Sequence, residues 1–306
     1  MSKRIKAKPN AGSEISWQRV RALFGNPQPP ADVWERQFDG FDETLHKLAQ
    51  TPYDQIDFSD LWYYYHDLAY VELQPELFHY LFPVCLIDWH ETLLRNQSCA
   101  HGDAEFHYGL MGGDVLHKML TEAQRIGVGR FFHDSFLQRL DMESELGTPR
   151  CGASAYGWLA RFNSLGRIMP IIADIWRTWW QLETTGRALS AVQYLSGLIY
   201  FDGENPVCDI WTTQQPAGGP DLWDHDSMIY STGWTSENVT FLAGILNFDF
   251  VASHLHQATT KLEGHPAYRI AAQVLADLPA RQDLVEQRTA ELPKLLEDHR
   301  AERWSV

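Results

Sequence analysis

The stretch PELFHYLFPVCLIDWHETLLRN, residues 75–96, decides the reading of the fold. Leu77, Phe78, Leu81, Val84, Leu86, Ile87, Trp89, Leu93 and Leu94 fall on nearly every side of a 3.6-residue wheel, leaving no broad polar stripe to face water. The run is too long for an ordinary strand. It reads as a central helix, kinked or restarted at Pro83, and such a helix needs a shell of others around it.

Toward the N-terminus, Asp57 stands where it caps a helix over 58–71 whose apolar set is Leu61, Trp62, Tyr65, Leu68 and Ala69. A further helical stretch is expected over 32–50. Trp17, Val20 and Phe24 recur at helical spacing, and Gly25 stands where a left-handed cap ends that short helix. The following Asn26-Pro27-Gln28-Pro29-Pro30 must be extended or turning. Residues 1–13, rich in Lys, Pro, Asn, Gly and Ser, read as a flexible basic tail.

Toward the C-terminus, a Gly-containing link near 100–103 precedes helices expected over 114–125 and 130–146. Asp174 and Arg177 stand three apart inside an apolar helix over 168–182, a spacing that suits an intrahelical ion pair. A helix over 188–200 leads into 202–221, the longest aperiodic stretch, which holds Gly203, Pro206, Pro216, Gly218, Gly219 and Pro220. Loops of that length tend to carry function. Ser236 caps a long helix to about residue 261; helices over 265–278 and 280–302 follow, the last interrupted at Pro293. There is no internal repeat and no alternating strand pattern. The expected fold is all-α: an irregular bundle of about ten helices in one large domain, 14–306, with the tail 1–13 and a long loop near 202–221.

Lys plus Arg number 25 against 40 Asp plus Glu, a formal charge of −15, and Lys3, Arg4, Lys6 and Lys8 crowd into the tail. So negative a body repels phosphate backbones, which argues against nucleic acid and for a basic protein partner. The cysteines Cys85, Cys99, Cys151 and Cys208 form no Cys-x-x-Cys pair, so neither a zinc ribbon nor a dithiol redox centre is expected. With no apolar run of membrane-spanning length and no secretory leader pattern, the expectation is a cytoplasmic protein without membrane contact.

Three His-Asp dipeptides, His66-Asp67, His133-Asp134 and His225-Asp226, are more than composition predicts. An all-α, metal-dependent phosphohydrolase of the HD type gathers such residues from several helices around a divalent metal. His66, Asp67, His90, His133, Asp134, His225 and Asp226 are of the required types, but no family pattern surrounds them, so a metal-dependent helical hydrolase is the alternative reading. Glu43 with His46 and Glu76 with His79 share the Glu-x-x-His spacing of di-iron bundles, but they lie on neighbouring segments where such bundles do not place them. Serine-elbow, phosphate-loop, dinucleotide and His-Glu-x-x-His motifs are missing.

Twelve tryptophans remain to be placed. Trp62, Trp89, Trp176, Trp179 and Trp180 lie on apolar helical faces and belong in the core. Trp211, Trp223 and Trp234 flank the long loop beside Asp221, Asp224 and Asp226, and aromatic anchors ringed by acids suit a protein interface. The leading expectation is an acidic helical binding protein without a cofactor. It would be of the immunity or inhibitor kind, neutralising a basic toxin by covering its active site. Its expected contact residues are Trp211, Asp221, Trp223, Asp224, Asp226 and Trp234. The charged terminal helix suggests an oligomerisation module as a third class.

Overall fold

The stretch is helical over 75–94 in the structure, a computed structural model that describes residues 11–52, 55–95, 102–146, 155–168, 171–201, 204–207 and 233–297. Helix α4 (Pro75–Leu94) starts on a proline, where a missing amide hydrogen is harmless, and runs on through Pro83 without a restart. Its residues from Leu77 to Ile87 are buried except His79, as the absence of a polar stripe requires. Four α-helices pack on it: α1 (Ala11–Phe24), α2 (Asp42–Gln50), α5 (Gly102–Gly112) and α7 (Glu122–Asp141). Gly25 ends α1 with a φ of 69°, its amide N–H donating a hydrogen bond to the Arg21 carbonyl at 2.7 Å. That is the left-handed cap its position implies. Helix α1 begins at Ala11, inside the stretch expected as tail; residues 1–10 lie outside the described residues.

Asp57 caps as expected, its carboxylate accepting from the Ser59 amide, but the turn it starts is a 3-10 helix (Phe58–Leu61) that passes into α3 (Trp62–Tyr70). The expected helix over 32–50 is shorter. Only α2 forms, and residues 32–41 are an irregular strap whose backbone polar groups bond mostly to side chains, among them Gln74, Asp67 of α3 and Asp42, with one turn closed by the Gly40 amide on the Gln37 carbonyl. The link expected near 100–103 opens α5 (Gly102–Gly112), which lies along α3; Phe106 and Leu110 are its buried apolar positions. One turn, α6 (Val115–Met119), separates it from α7. Helix α7 starts at Glu122, eight residues before the expected point, because Thr121 and Gln124 form a reciprocal capping box.

A second centre is α10 (Thr185–Ile199), on which every residue from Gly186 to Ile199 is buried. Its small residues let neighbours approach, and the Ser190 and Ser196 hydroxyls are satisfied by the Gly186 and Gln193 carbonyls. Around it lie α8 (Ala155–Leu165), α12 (Phe248–Lys261), α13 (Tyr268–Asp277) and α14 (Gln282–Leu296). The expected helix over 168–182 is α9 (Ile172–Trp179), with the Asp174–Arg177 pair in place at 3.3 Å. The expected helix from Ser236 to residue 261 is two, α11 (Ser236–Ile245) and α12, because the Asn247 side chain caps a fresh start. Helix α14 passes through Pro293 uninterrupted.

The all-α class stands, but the helices number more than the ten or so expected. Fourteen α-helical segments occur among the described residues, thirteen of them longer than the five-residue α6. No strand is present among the described residues, where the one extended pairing is an isolated bridge from Trp234 to Glu297. Buried apolar side chains from Val20 to Leu296 form a single contiguous cluster. No helix among the described residues is long and apolar enough to cross a membrane.

Candidate protein-interaction surface

The strap is held from both sides by side chains, because residues 32–41 have no helical or strand ladder to use. Gln74, the N-cap of α4, accepts the Trp34 amide at 3.0 Å and donates to the Asp32 carbonyl at 2.7 Å. In return, Glu35 accepts the Gln74 amide at 2.6 Å. On α3, Asp67 accepts the Phe38 amide at 2.8 Å and the Gln37 side chain at 3.1 Å, while Gln37 accepts the Phe41 amide at 2.9 Å. This pinning fixes the strap's alternation. Glu35 and Gln37 point inward and are buried, and Trp34 and Phe38 are left 48% and 52% exposed.

Phe41, 44% exposed, continues the row, and α3 adds Trp62 at 37% and Tyr70 at 51%. The rings are ordered against one another: Phe38 stacks on Tyr70 with centroids 4.5 Å apart, and Phe41 lies 4.2 Å from Tyr63. Tyr70 in turn bonds the Tyr108 hydroxyl at 3.1 Å. Nine large hydrophobic side chains are exposed among the described residues; five are these, and Ile126, Met142, Phe201 and Tyr268 are scattered elsewhere. Isolated exposed apolar residues are ordinary, whereas a concentration of aromatics is not.

The same segment holds much of the chain's negative charge. Residues 32–76 contain eleven Asp and Glu against Arg36 and Lys47. Both cations are engaged, Arg36 by Asp42 at 2.9 Å and Lys47 by Asp60 at 2.6 Å. Asp39 holds the His66 ring at 2.7 Å. The Gln37 amide and Arg36 keep the Asp42 carboxyl below the usual carboxylate range.

Beneath the aromatic row lie Glu35, Tyr64 and Asp67, each 1% exposed or less. Burial raises Glu35 to about 8 and Asp67 to about 7, the Asp67 charge adding to the effect on Glu35. The Tyr64 hydroxyl, pushed up by burial, and one oxygen of each carboxyl have no hydrogen-bond partner among the described residues. Two neutralisable acids in an apolar setting thus anchor the strap to the body.

The metal-site candidates do not come together. His66 is taken by Asp39 and Asp67 by the strap; His90, buried and lowered to about 4 by desolvation, bonds the Ser135 hydroxyl at 2.8 Å. His133 lies 2.9 Å from its neighbour Asp134, which accepts from Arg19 at 2.9 Å. Among the described residues no three His, Cys, Asp or Glu are placed to hold a metal ion, and His225 and Asp226 lie outside them. The two described dipeptides, His66-Asp67 and His133-Asp134, lie on separate helices with separate duties.

Of the expected contact residues, Trp211, Asp221, Trp223, Asp224 and Asp226 lie outside the described residues. Trp234 is corrected: it is 1% exposed, and its indole N–H donates to the Asn163 carbonyl at 2.7 Å. A Cβ on Gly166 would meet that indole at 2.0 Å, so the ring sits in a slot that only glycine leaves open. Trp62 is corrected the other way, from core to surface. Sequence reasoning passed over Trp34, Phe38 and Phe41, because it placed 32–50 in a helix, and left Tyr70 out of the apolar set of 58–71; the density of acids around them was the available signal. Comparison with protein-family models, curated proteins and solved structures finds no match to this chain.

Proposed function

We propose that this protein binds a basic protein partner through the acid-rimmed aromatic face of the strap and α3, in the manner of an inhibitor or immunity protein that neutralises a basic toxin. The observation that carries the reading is the coincidence of five exposed aromatics with eight carboxylates that reach the surface among the described residues of 32–76, Glu35 and Asp67 lying buried beneath. Aromatic side chains supply contact area at small entropic cost and are enriched among interface anchors. Carboxylates around them steer a cationic partner into place and suppress acidic competitors. Lys and Arg of the partner gain further by lying over ring faces. A toxin that acts on nucleic acid presents cations where it holds phosphate, so an acidic face of this kind covers its active site as a substrate mimic.

Association kinetics with a cationic toxin as the analyte test this. Raising salt from ~0.05 M to ~0.5 M should slow association about tenfold or more. The triple variant Trp34→Ala, Phe38→Ala, Tyr70→Ala should mainly speed dissociation. An association rate indifferent to salt, or a triple variant that binds like the parent, would remove the proposal.

A further inference from the structure

A cleft of about 1100 Å³ opens between the end of α5, the first half of α7 and the turn joining α8 to α9. Its size matches the larger small-molecule sites. One side of α7 runs along it in steps of four, through Glu122, Ile126 and Arg130, so the wall reads acid, apolar, cation over about 12 Å of helix. Ile126 is 63% exposed, the most of any large hydrophobic side chain among the described residues. Met111, Leu116 and Ile171 share the cleft with it and extend the apolar wall.

Four arginines and four acids line the cleft, and half of each are engaged. Asp174 pairs with Arg177 on its own helix, Asp134 is taken by Arg19 at 2.9 Å, and Arg167 is buried with a partner of its own. What remains is Asp114 and Glu122 against Arg125 and Arg130. These four do not cancel one another. Glu122 and Arg125 stand three apart on α7, a spacing that permits an ion pair, yet none closes among the described residues. Arg125 instead gives one N–H to the Leu120 carbonyl at 3.2 Å, and a guanidinium has more to give. Asp114 stands at the N-cap of α6 without capping it, in a left-handed backbone (φ 51°) that few side chains adopt. A lone carboxylate would meet two acids here, a lone amine two arginines, and a polyphosphate would be repelled by the acids. A ligand bearing one charge of each sign answers both pairs.

We propose that this cleft binds a linear zwitterion, with an ammonium group and a carboxylate at opposite ends of an apolar body. The ammonium lies with Asp114 and Glu122, the body on Ile126 and its apolar neighbours, and the carboxylate on Arg130 and Arg125. A planar guanidinium fork matches a carboxylate geometrically. The lining shares no residue with 32–76, so the site does not depend on the aromatic face.

Calorimetric titration with ω-aminooctanoate tests the assignment. Octanoate, octylamine and β-alanine are the relatives that lack the amine, the carboxylate and the apolar span, and trileucine is a peptide of the same chemistry. At least one of the two apolar zwitterions should bind with a stoichiometry near one, about tenfold or more tighter than each relative, and the tighter of the two tells an amino acid from a peptide. Arg130→Glu, a reversal at an exposed position with no bond to the fold among the described residues, should weaken that zwitterion about tenfold and leave octylamine no weaker. Glu122→Gln should narrow the preference over octanoate about threefold or more. Arg36→Glu, on the aromatic face, should leave zwitterion binding unaltered. A relative that binds as tightly as both zwitterions, uptake of many equivalents, no saturable binding of either zwitterion below ~10 mM, or an Arg130→Glu variant that binds like the parent would each overturn the proposal.

Discussion

Residues 34–70 and residues 158–194 are both dense in aromatic side chains, and they use them in opposite ways. In the second region Trp158, Phe162, Trp176, Trp179 and Tyr194 are 1% exposed or less, packed edge to face around α10. In the first, Trp34, Phe38, Phe41, Trp62 and Tyr70 are more than a third exposed. The accompanying charge also differs. Residues 158–194 hold two carboxylates against four arginines, whereas 34–70 hold eight against two cations. Aromatic content alone therefore does not separate core from contact surface. The local charge does, since the described carboxylates of the first region other than Glu35 and Asp67 reach water and keep the adjoining segment at the surface with them.

The contrast is most sharply tested from the buried side. Trp179 stacks on Trp180 at 5.0 Å, lies 5.5 Å from Tyr194 and donates its indole N–H to the Arg187 carbonyl at 3.2 Å. Trp179→Ala should cost about 3–5 kcal/mol, read as a fall in the urea midpoint, because the surrounding rings cannot collapse into the space. A loss under ~1 kcal/mol would mean that the ring cluster is loosely packed.

The buried acids under the strap provide a test of intermediate size. Glu35 and Asp67 hold their protons at higher pH in the folded chain than in the unfolded one, so they contribute stability at low pH that is lost as pH rises. His90 and His107, lowered to about 4 and about 3 by burial, act in the opposite sense, but only below their ordinary value of 6.5. From pH 6.5 to 8 the acids therefore govern, and stability should fall with pH. Glu35→Gln keeps an oxygen to accept the Gln74 amide and should remove about 1.4 kcal/mol per pH unit of that slope. Urea unfolding at several pH values measures it, and an unchanged slope in the variant would show that Glu35 is ionised in the fold.

The smallest effect on stability belongs to the exposed face. Trp62→Ala should shift the unfolding free energy by about 0.5 kcal/mol or less, while weakening a basic partner about tenfold. If it destabilised as Trp179→Ala does, the two aromatic regions would be one core and the comparison would fail.

Several local features were legible without coordinates: the Gly25 cap, the Asp57 cap, the Asp174–Arg177 pair and the buried length of α4. Each is settled within a few residues of chain. The capping box of Thr121 and Gln124 was also written there and was passed over in favour of the spacing of Phe132, Phe136 and Leu140, which placed the start of α7 too late. The strap was harder. Its polar partners Gln74 and Asp67 lie some thirty to forty residues away, so a helical period over 32–50 had no visible competitor. Likewise Trp234 stood in a polar loop context, and nothing nearby announced the slot at Gly166.

The sequence by itself determined the helical class, the all-round burial of α4 and the acidity of residues 32–76, because helical period and charge are properties of neighbours along the chain. Tertiary structure alone decided that Trp234 is sheltered, that Trp62 is wetted, that the three described histidine candidates part company, and that four arginines meet in one cleft. Burial and convergence depend on which helix lies opposite, and that is set by the whole core at once.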